Sequence, residues 1–364
     1  MERSFYLELA RSGKRFPIGA HLVLCEKPDH EARLTDGQGL GEVIAETADR
    51  FHTPLALPLM DLTIEKADLL HMIGIPADRA SAYHFEACPE KDALERVLAS
   101  LDSPPTPRMR ANCEAIRHIA TRRADLVPSG MAIGPFSLMT KLLADPITPV
   151  FMAGTGTTGD EDEDVRAVEL ALEMAIPAIQ RGIRMQVEAG ARAVCVCEPA
   201  ANKVFLSPKQ LEAGSDIFER LVMGSLRRIK ATLDDLGADL ILHDCGELTD
   251  PMVRDLATLD PAILSLGSSR QLWDDARLVP KSTVLYGNLP TKNFYSDAQV
   301  PPEAVDRLAR ELIRHMRAIG HPFILGSECD VLSVPGSEAP IQAKIERDRK
   351  STRLNSSHES PSRM

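Results

Sequence analysis

Short apolar runs alternate with longer amphipathic stretches along most of this chain. Residues 20–25, 54–60, 129–133, 193–197, 239–243, 262–266, 283–286 and 322–325 are nearly continuous in aliphatic and β-branched side chains. That is the pattern of parallel strands covered on both faces. Between them lie helical patterns at 165–188, 208–236, 249–256 and 302–319. The first follows an acidic run, 160–164, that suits the positive end of a helix dipole. The last begins at a proline pair and stops at Gly320. Eight strands with crossover helices predict an α/β fold, a (β/α)8 TIM barrel with an N-terminal extension. A doubly wound sheet is the second architecture that alternation alone allows. Residues 1–348 read as one barrel domain with no internal repeat. Residues 349–364 break the pattern with a sudden excess of Ser and Arg, and read as a non-native cloning adaptor or a disordered tail.

The barrel matters because functional side chains collect at the C-terminal ends of its strands. His243, Cys245, Glu198, Asn288 and Cys329 all fall just past a strand run. His243 and Cys245 sit two apart, so on an extended chain both point the same way. Gly246 then lets the backbone turn. Cys329 follows two βα units later, close in space if the barrel closes. One imidazole and two thiolates make a three-ligand zinc set with a vacant fourth position, the layout of a catalytic centre. Zinc held largely by sulfur activates an incoming thiol better than water. The competing explanation is a buried cysteine and a hydrogen-bonded core histidine, about as common for an isolated His-x-Cys pair.

Other residues carry open or plainer readings. Glu198 is a fourth zinc ligand, an orienter of His243 or a substrate contact. Asp61 is a candidate mouth residue, whereas Glu65 is equally well solvated helix surface. Cys195 and Cys197 read as core packing, Cys88 and Cys113 as structural. His21 and Cys25 lie in the first strand candidate, where the cysteine would reach the mouth. The run 154–159 resembles a phosphate loop by eye, but it lacks the lysine and precedes acidic residues, so it reads as a loop.

Composition narrows the class. The 364 residues are 44% hydrophobic and 26% charged, which suits a soluble globular protein. A net charge of −11 speaks against a nucleic-acid partner. No apolar run has membrane-spanning length, and the N-terminus lacks a signal-peptide pattern. Seven scattered cysteines fit a reduced, cytoplasmic protein.

Three segments, Gly134-Pro135-Phe136-Ser137-Leu138, residues 187–193 (VEAGARA) and Tyr286-Gly287-Asn288-Leu289, resemble the uroporphyrinogen decarboxylase superfamily. Residues 60–65 (MDLTIE) add to the likeness, which spans roughly residues 15–345. The resemblance implies a (β/α)8 barrel. The Arg-rich N-terminal anchor of the true decarboxylases is missing. The His-x-Cys and distant Cys match the corrinoid-dependent methyltransferase branch at His243, Cys245 and Cys329. That branch implies Zn2+ on those three residues, with methyl transfer between a corrinoid (methylcobamide) and a thiol such as coenzyme M. It places Glu198 and Asp61 in catalysis, and Gly287 and Asn288 at the cofactor. The chain has no Asp-x-His-x-x-Gly segment, so the corrinoid is expected on a separate small corrinoid-binding protein. The direction of transfer is open. The alternative is a decarboxylase-like carboxy-lyase without metal.

Overall fold

The computed structural model describes residues 1–76 and 78–350. Seven strands form one parallel sheet in sequential order: β1 (Leu55–Ala56), β2 (Val127–Ile133), β3 (Ala193–Cys197), β4 (Asp239–Asp244), β5 (Ile263–Leu266), β6 (Val284–Leu289) and β7 (Phe323–Ser327). All of β2 and β3 is buried, as continuous apolar runs require when helices cover one face and packed side chains the other. The sheet curls. Met60, just past β1, brings its Sδ within 3.8 Å of the Cys329 Sγ just past β7, so the C-terminal ends of the two outer strands converge.

The expected eighth strand, 20–25, is instead the helix Ala20–Cys25. Its apolar run is too short for periodicity to decide. Ala20, Leu22 and Leu24 are strong helix formers, and only Val23 is β-branched. Leu22, Val23 and Leu24 are buried in the core. The eighth position is taken by one residue, Ile18. It forms a parallel bridge to Asp330, accepts from the Val331 N–H at 2.8 Å and donates to Ser327 Oγ at 2.9 Å. The observed architecture is therefore a curled seven-stranded sheet, one strand short of the expected barrel.

The helix expected over 208–236 is also broken. It stops after Pro208–Glu212, where Gly214 takes a left-handed φ of 90°, and resumes through a π-turn at Phe218–Met223 into Gly224–Asp235. Helix Glu163–Glu188 starts as the acidic run predicts, with Asp162 accepting from the N–H groups of Asp164 and Val165. Its Gln186 side chain bonds both the N–H (2.8 Å) and the carbonyl (3.0 Å) of Met131 and so pins the helix to β2. Helix Pro302–Ile319 ends on Gly320 at φ 66°, as read. Thr158, in the glycine-rich run, donates through N–H and Oγ1 to Glu161, closing a turn ahead of that long helix. The main apolar core runs from Tyr6 to Ile345, and a smaller cluster gathers Ile64, Met109, Cys113, Ile116, Ala189 and Ala191. No helix among the described residues is long and apolar enough to cross a membrane. Of the tail 349–364, residues 351–364 lie outside the described residues.

Candidate metal centre

β4 delivers His243 and, one residue past its end, Cys245; β7 leads to Cys329. Among the described residues these three form a group whose ligand atoms all lie within 4.8 Å of one another. The two sulfurs are 3.6 Å apart. Zinc–sulfur bonds of ~2.3 Å at a tetrahedral angle place two sulfurs ~3.8 Å apart, so this spacing already suits one ion. His243 supplies the sharper observation. It is fully buried; its Nδ1 meets Ser265 Oγ at 2.8 Å, while its Nε2 has no hydrogen-bond partner. A buried ring nitrogen without a partner is costly unless something else occupies its lone pair. The donor set of one nitrogen and two sulfurs fits a borderline-soft divalent cation.

The backbone explains how the chain brings them together. In the β4–β5 register His243 stands opposite Ser265, so both side chains emerge on the same face, and Ser265 fixes the imidazole. Asp244 accepts from the Gly246 N–H at 2.9 Å and tightens the turn that carries Cys245. A Cβ on Gly267 would lie 2.6 Å from the Cys245 carbonyl oxygen, so the chain after β5 passes too close for any side chain there. Glu328 anchors the other half. Its buried carboxylate accepts from Ser268 N–H (3.1 Å), Ser268 Oγ (2.6 Å) and Lys292 N–H (3.2 Å), tying the segment after β7 to those after β5 and β6. Lys292 Nζ also donates to the Cys245 carbonyl at 3.4 Å.

The charges follow from this crowding. Cys245 is pulled down to about 3, first by its hydrogen bond with the Cys329 thiol, against burial, and further by His243 and Lys292. The same contact, with burial, pushes Cys329 up. Burial disfavours a charged His243, but the adjacent Cys245 outweighs it and raises the imidazole. One negative charge is thus accommodated and a second resisted. A divalent cation inverts that balance and lets both thiols ionise.

The remaining predicted residues fall around the triad. Glu198 does not orient His243; Ser265 does that. The buried Glu198 carboxylate accepts from the N–H groups of Phe136 (3.2 Å) and Ser137 (2.5 Å), at the start of helix Pro135–Leu142. Burial pushes it up to about 7, against those donors. Gly134 has to be glycine, because a Cβ there would sit 2.1 Å from the carboxylate. Asp61, one residue past Met60, accepts from Arg108 Nη2 (2.7 Å), Thr63 N–H (3.1 Å) and Thr63 Oγ1 (2.5 Å). Burial would raise Asp61, but the Thr63 and Arg108 donors outweigh it and hold it below the usual carboxylate range. Asn288 donates from Nδ2 to the carbonyls of Gly267 (2.8 Å) and Arg270 (2.9 Å), bracing the turn that follows β5. Gly287 adopts a φ of 124°, open to glycine, with the Leu266 carbonyl 3.0 Å from where a Cβ would stand.

Glu65 is not solvated; it is 2% exposed and one of its carboxylate oxygens has no partner. His21 and Cys25 lie on a helix, 3.7 Å apart at their nearest polar atoms, and His21 Nδ1 accepts from Ser333 N–H. Cys195 and Cys197 are buried with their sulfurs 3.8 Å apart, consistent with packing. The sequence assigns no role to Ser265, Met60, Glu328, Lys292 or the buried Asp330. Ser265 alone had a signal, an isolated polar residue inside an apolar strand run.

The profile "Uroporphyrinogen decarboxylase (URO-D)" matches residues 24–338. No curated protein matches the chain. Among solved structures, a methyltransferase from Methanosarcina mazei aligns with a TM-score of 0.63 at 17% identity, covering 93% of this chain and 94% of that one. The 3-keto-D-glucoside 4-epimerase from E. coli aligns at 0.34 and 14% identity, covering 79% and 95%. The first likeness supports the shared fold, and the second is too distant to argue from. The chain belongs to the uroporphyrinogen decarboxylase family.

Proposed function

We propose that this chain is a zinc-dependent methyltransferase that moves a methyl group between a corrinoid (methylcobamide) and a thiol such as coenzyme M. The carrying observation is the convergence of His243, Cys245 and Cys329 with the His243 Nε2 left bare. The family and the methyltransferase from Methanosarcina mazei among its structural neighbours support the reading. Bound zinc would supply the Lewis acidity that keeps a substrate thiol, of ordinary pKa about 8.5, ionised at neutral pH.

The chain's own residues do the rest. Ser265 holds the His243 ring in one orientation so that Nε2 faces inward. Cys245 and Cys329 supply soft, electron-rich donors, and Glu328 and Lys292 brace the segments that carry them. Asp61, paired with Arg108, lies beside Met60 at the rim where a substrate enters. Glu198 locks the ends of β2 and β3 together behind the site. Gly287 and Asn288 shape the wall that faces the corrinoid, which a separate small corrinoid-binding protein presents at the mouth.

The test uses methylcobalamin and 2-mercaptoethanesulfonate with the purified protein, following loss of the cobalt–carbon absorbance. Thiol-dependent demethylation that stops on zinc removal, returns on zinc addition and is absent in His243→Ala is expected. A rate indifferent to metal overturns the proposal, and metal-free release of carbon dioxide from an acidic tetrapyrrole would establish the carboxy-lyase alternative.

A further inference from the structure

A second concentration of chemistry lies at the opposite end of the strands. A cleft of about 520 Å³ opens between helix Arg3–Arg11, the C-terminal end of helix Pro302–Ile319 and the start of β7. Leu325, the cleft residue farthest along β7, is four residues short of Cys329, about 13 Å at ~3.3 Å per extended residue. The two sites are therefore separate. The volume falls in the range of small-molecule pockets, ~300–1,000 Å³.

Its lining is divided by chemistry. Leu7, Ile313 and Phe323 contribute to an apolar wall. Arg11, Lys14, Arg15, Lys281 and Arg317 contribute five basic side chains, and no aspartate or glutamate lines the cleft. That runs against the composition of a chain with net charge −11. Among the described residues, Arg11, Lys14, Lys281 and Arg317 form no ion pair with a carboxylate, although arginines elsewhere commonly do.

The plainest explanation is helix-dipole compensation, since two helices end here. Each C-terminus carries only about half a negative charge, so the two together account for about one of these four unpaired cations. Three remain. His321 also lines the cleft and is already held in place, its Nε2 donating to the Thr283 carbonyl at 3.0 Å. Unpaired cations beside an apolar wall call for a ligand that brings both negative charge and an apolar body.

We propose that this cleft binds a small amphipathic anion, with a carboxylate or phosphate head on the cluster of Arg11, Lys14, Lys281 and Arg317, and an apolar body against Leu7, Ile313 and Phe323.

Calorimetric titration of the full-length, zinc-loaded protein tests this with decyl phosphate, 3-hydroxydecanoate, decanol and inorganic phosphate, each amphiphile below its micellar range. One-to-one binding of at least one amphipathic anion is expected, and comparing the first two distinguishes the head group. The double variant Lys281→Ala/Arg317→Ala should weaken that binding by ~10-fold or more with zinc content unchanged, because both side chains are solvent-facing. Ile313→Glu should abolish it. Equal binding of decanol, equal binding of inorganic phosphate, unchanged affinity in the double variant, or attachment to anionic vesicles without binding of the monomeric amphiphile would each overturn the proposal.

Discussion

Replacement of Cys329 by alanine is expected to lower bound zinc from about one equivalent to a small fraction, with the fold retained. Cys329 is one of three ligand atoms, and its loss leaves one thiolate and one imidazole. Losing even an outer partner of a metal ligand typically costs ~10–100-fold in affinity, so losing a ligand costs more. The substitution removes one sulfur from a half-buried position beside Met60, too little to unfold a core that runs through most of the chain. Metal analysis after dialysis against a weak chelator, paired with thermal unfolding, separates the two effects. Equal zinc in wild type and variant would remove Cys329 from the site.

Glu65→Gln is expected to stabilise the protein increasingly as pH rises. Burial pushes Glu65 up to about 8 from its ordinary 4.5, against the donors from its own backbone and Ile133, while Asp61 and Asp68 add to the rise. Its surroundings give little compensation: one oxygen has no partner, and Gly182 and Met109 pack beside it. A folded-state pKa above the unfolded one means that the native state holds the proton longer. Stability is therefore fully present below about 4.5 and declines as pH climbs through about 8, at ~1.4 kcal/mol per pH unit within that window. Glutamine cannot ionise and escapes the decline. Denaturant titrations at pH 4.5, 6.5 and 8.5 should show the advantage of the variant growing to a few kcal/mol and then levelling. A pH-independent difference would show that Glu65 does not titrate in the fold as described.

What the sequence revealed depended on how local each signal was. β3 through β7 are legible because each is a continuous apolar run bounded by turn residues, and their observed ends differ from the expected ones by a few residues at most. Residues 20–25 were equally apolar but equally short, and helix propensity decided what periodicity left open. The break at Gly214 overrode an otherwise helical pattern because that residue turns left-handed.

The metal residues were legible for a related reason. His243 and Cys245 are spaced for one face of an extended chain, and Cys329 follows a strand run that the same barrel brings round. Ser265 was not, because its meeting with His243 depends on cross-strand register, which no local pattern encodes. Glu198 looked like a metal-shell carboxylate from its position alone, yet its oxygens are taken by the N–H groups opening helix Pro135–Leu142. Glu65 read as surface because charged residues usually are, and its helix buries Glu65, Lys66 and Asp68 together. Asp68 finds a buried ion pair with Arg181, 113 residues away, a partner that only the fold supplies.

The proposed chemistry requires one nitrogen and two sulfurs to grip a single ion, and zinc K-edge X-ray absorption on the purified protein measures that directly. The predicted first shell holds two sulfurs at ~2.3 Å and one or two light atoms at ~2.0–2.1 Å. A shell with no sulfur, a shell of four sulfurs, or a protein that retains no zinc at all would contradict it.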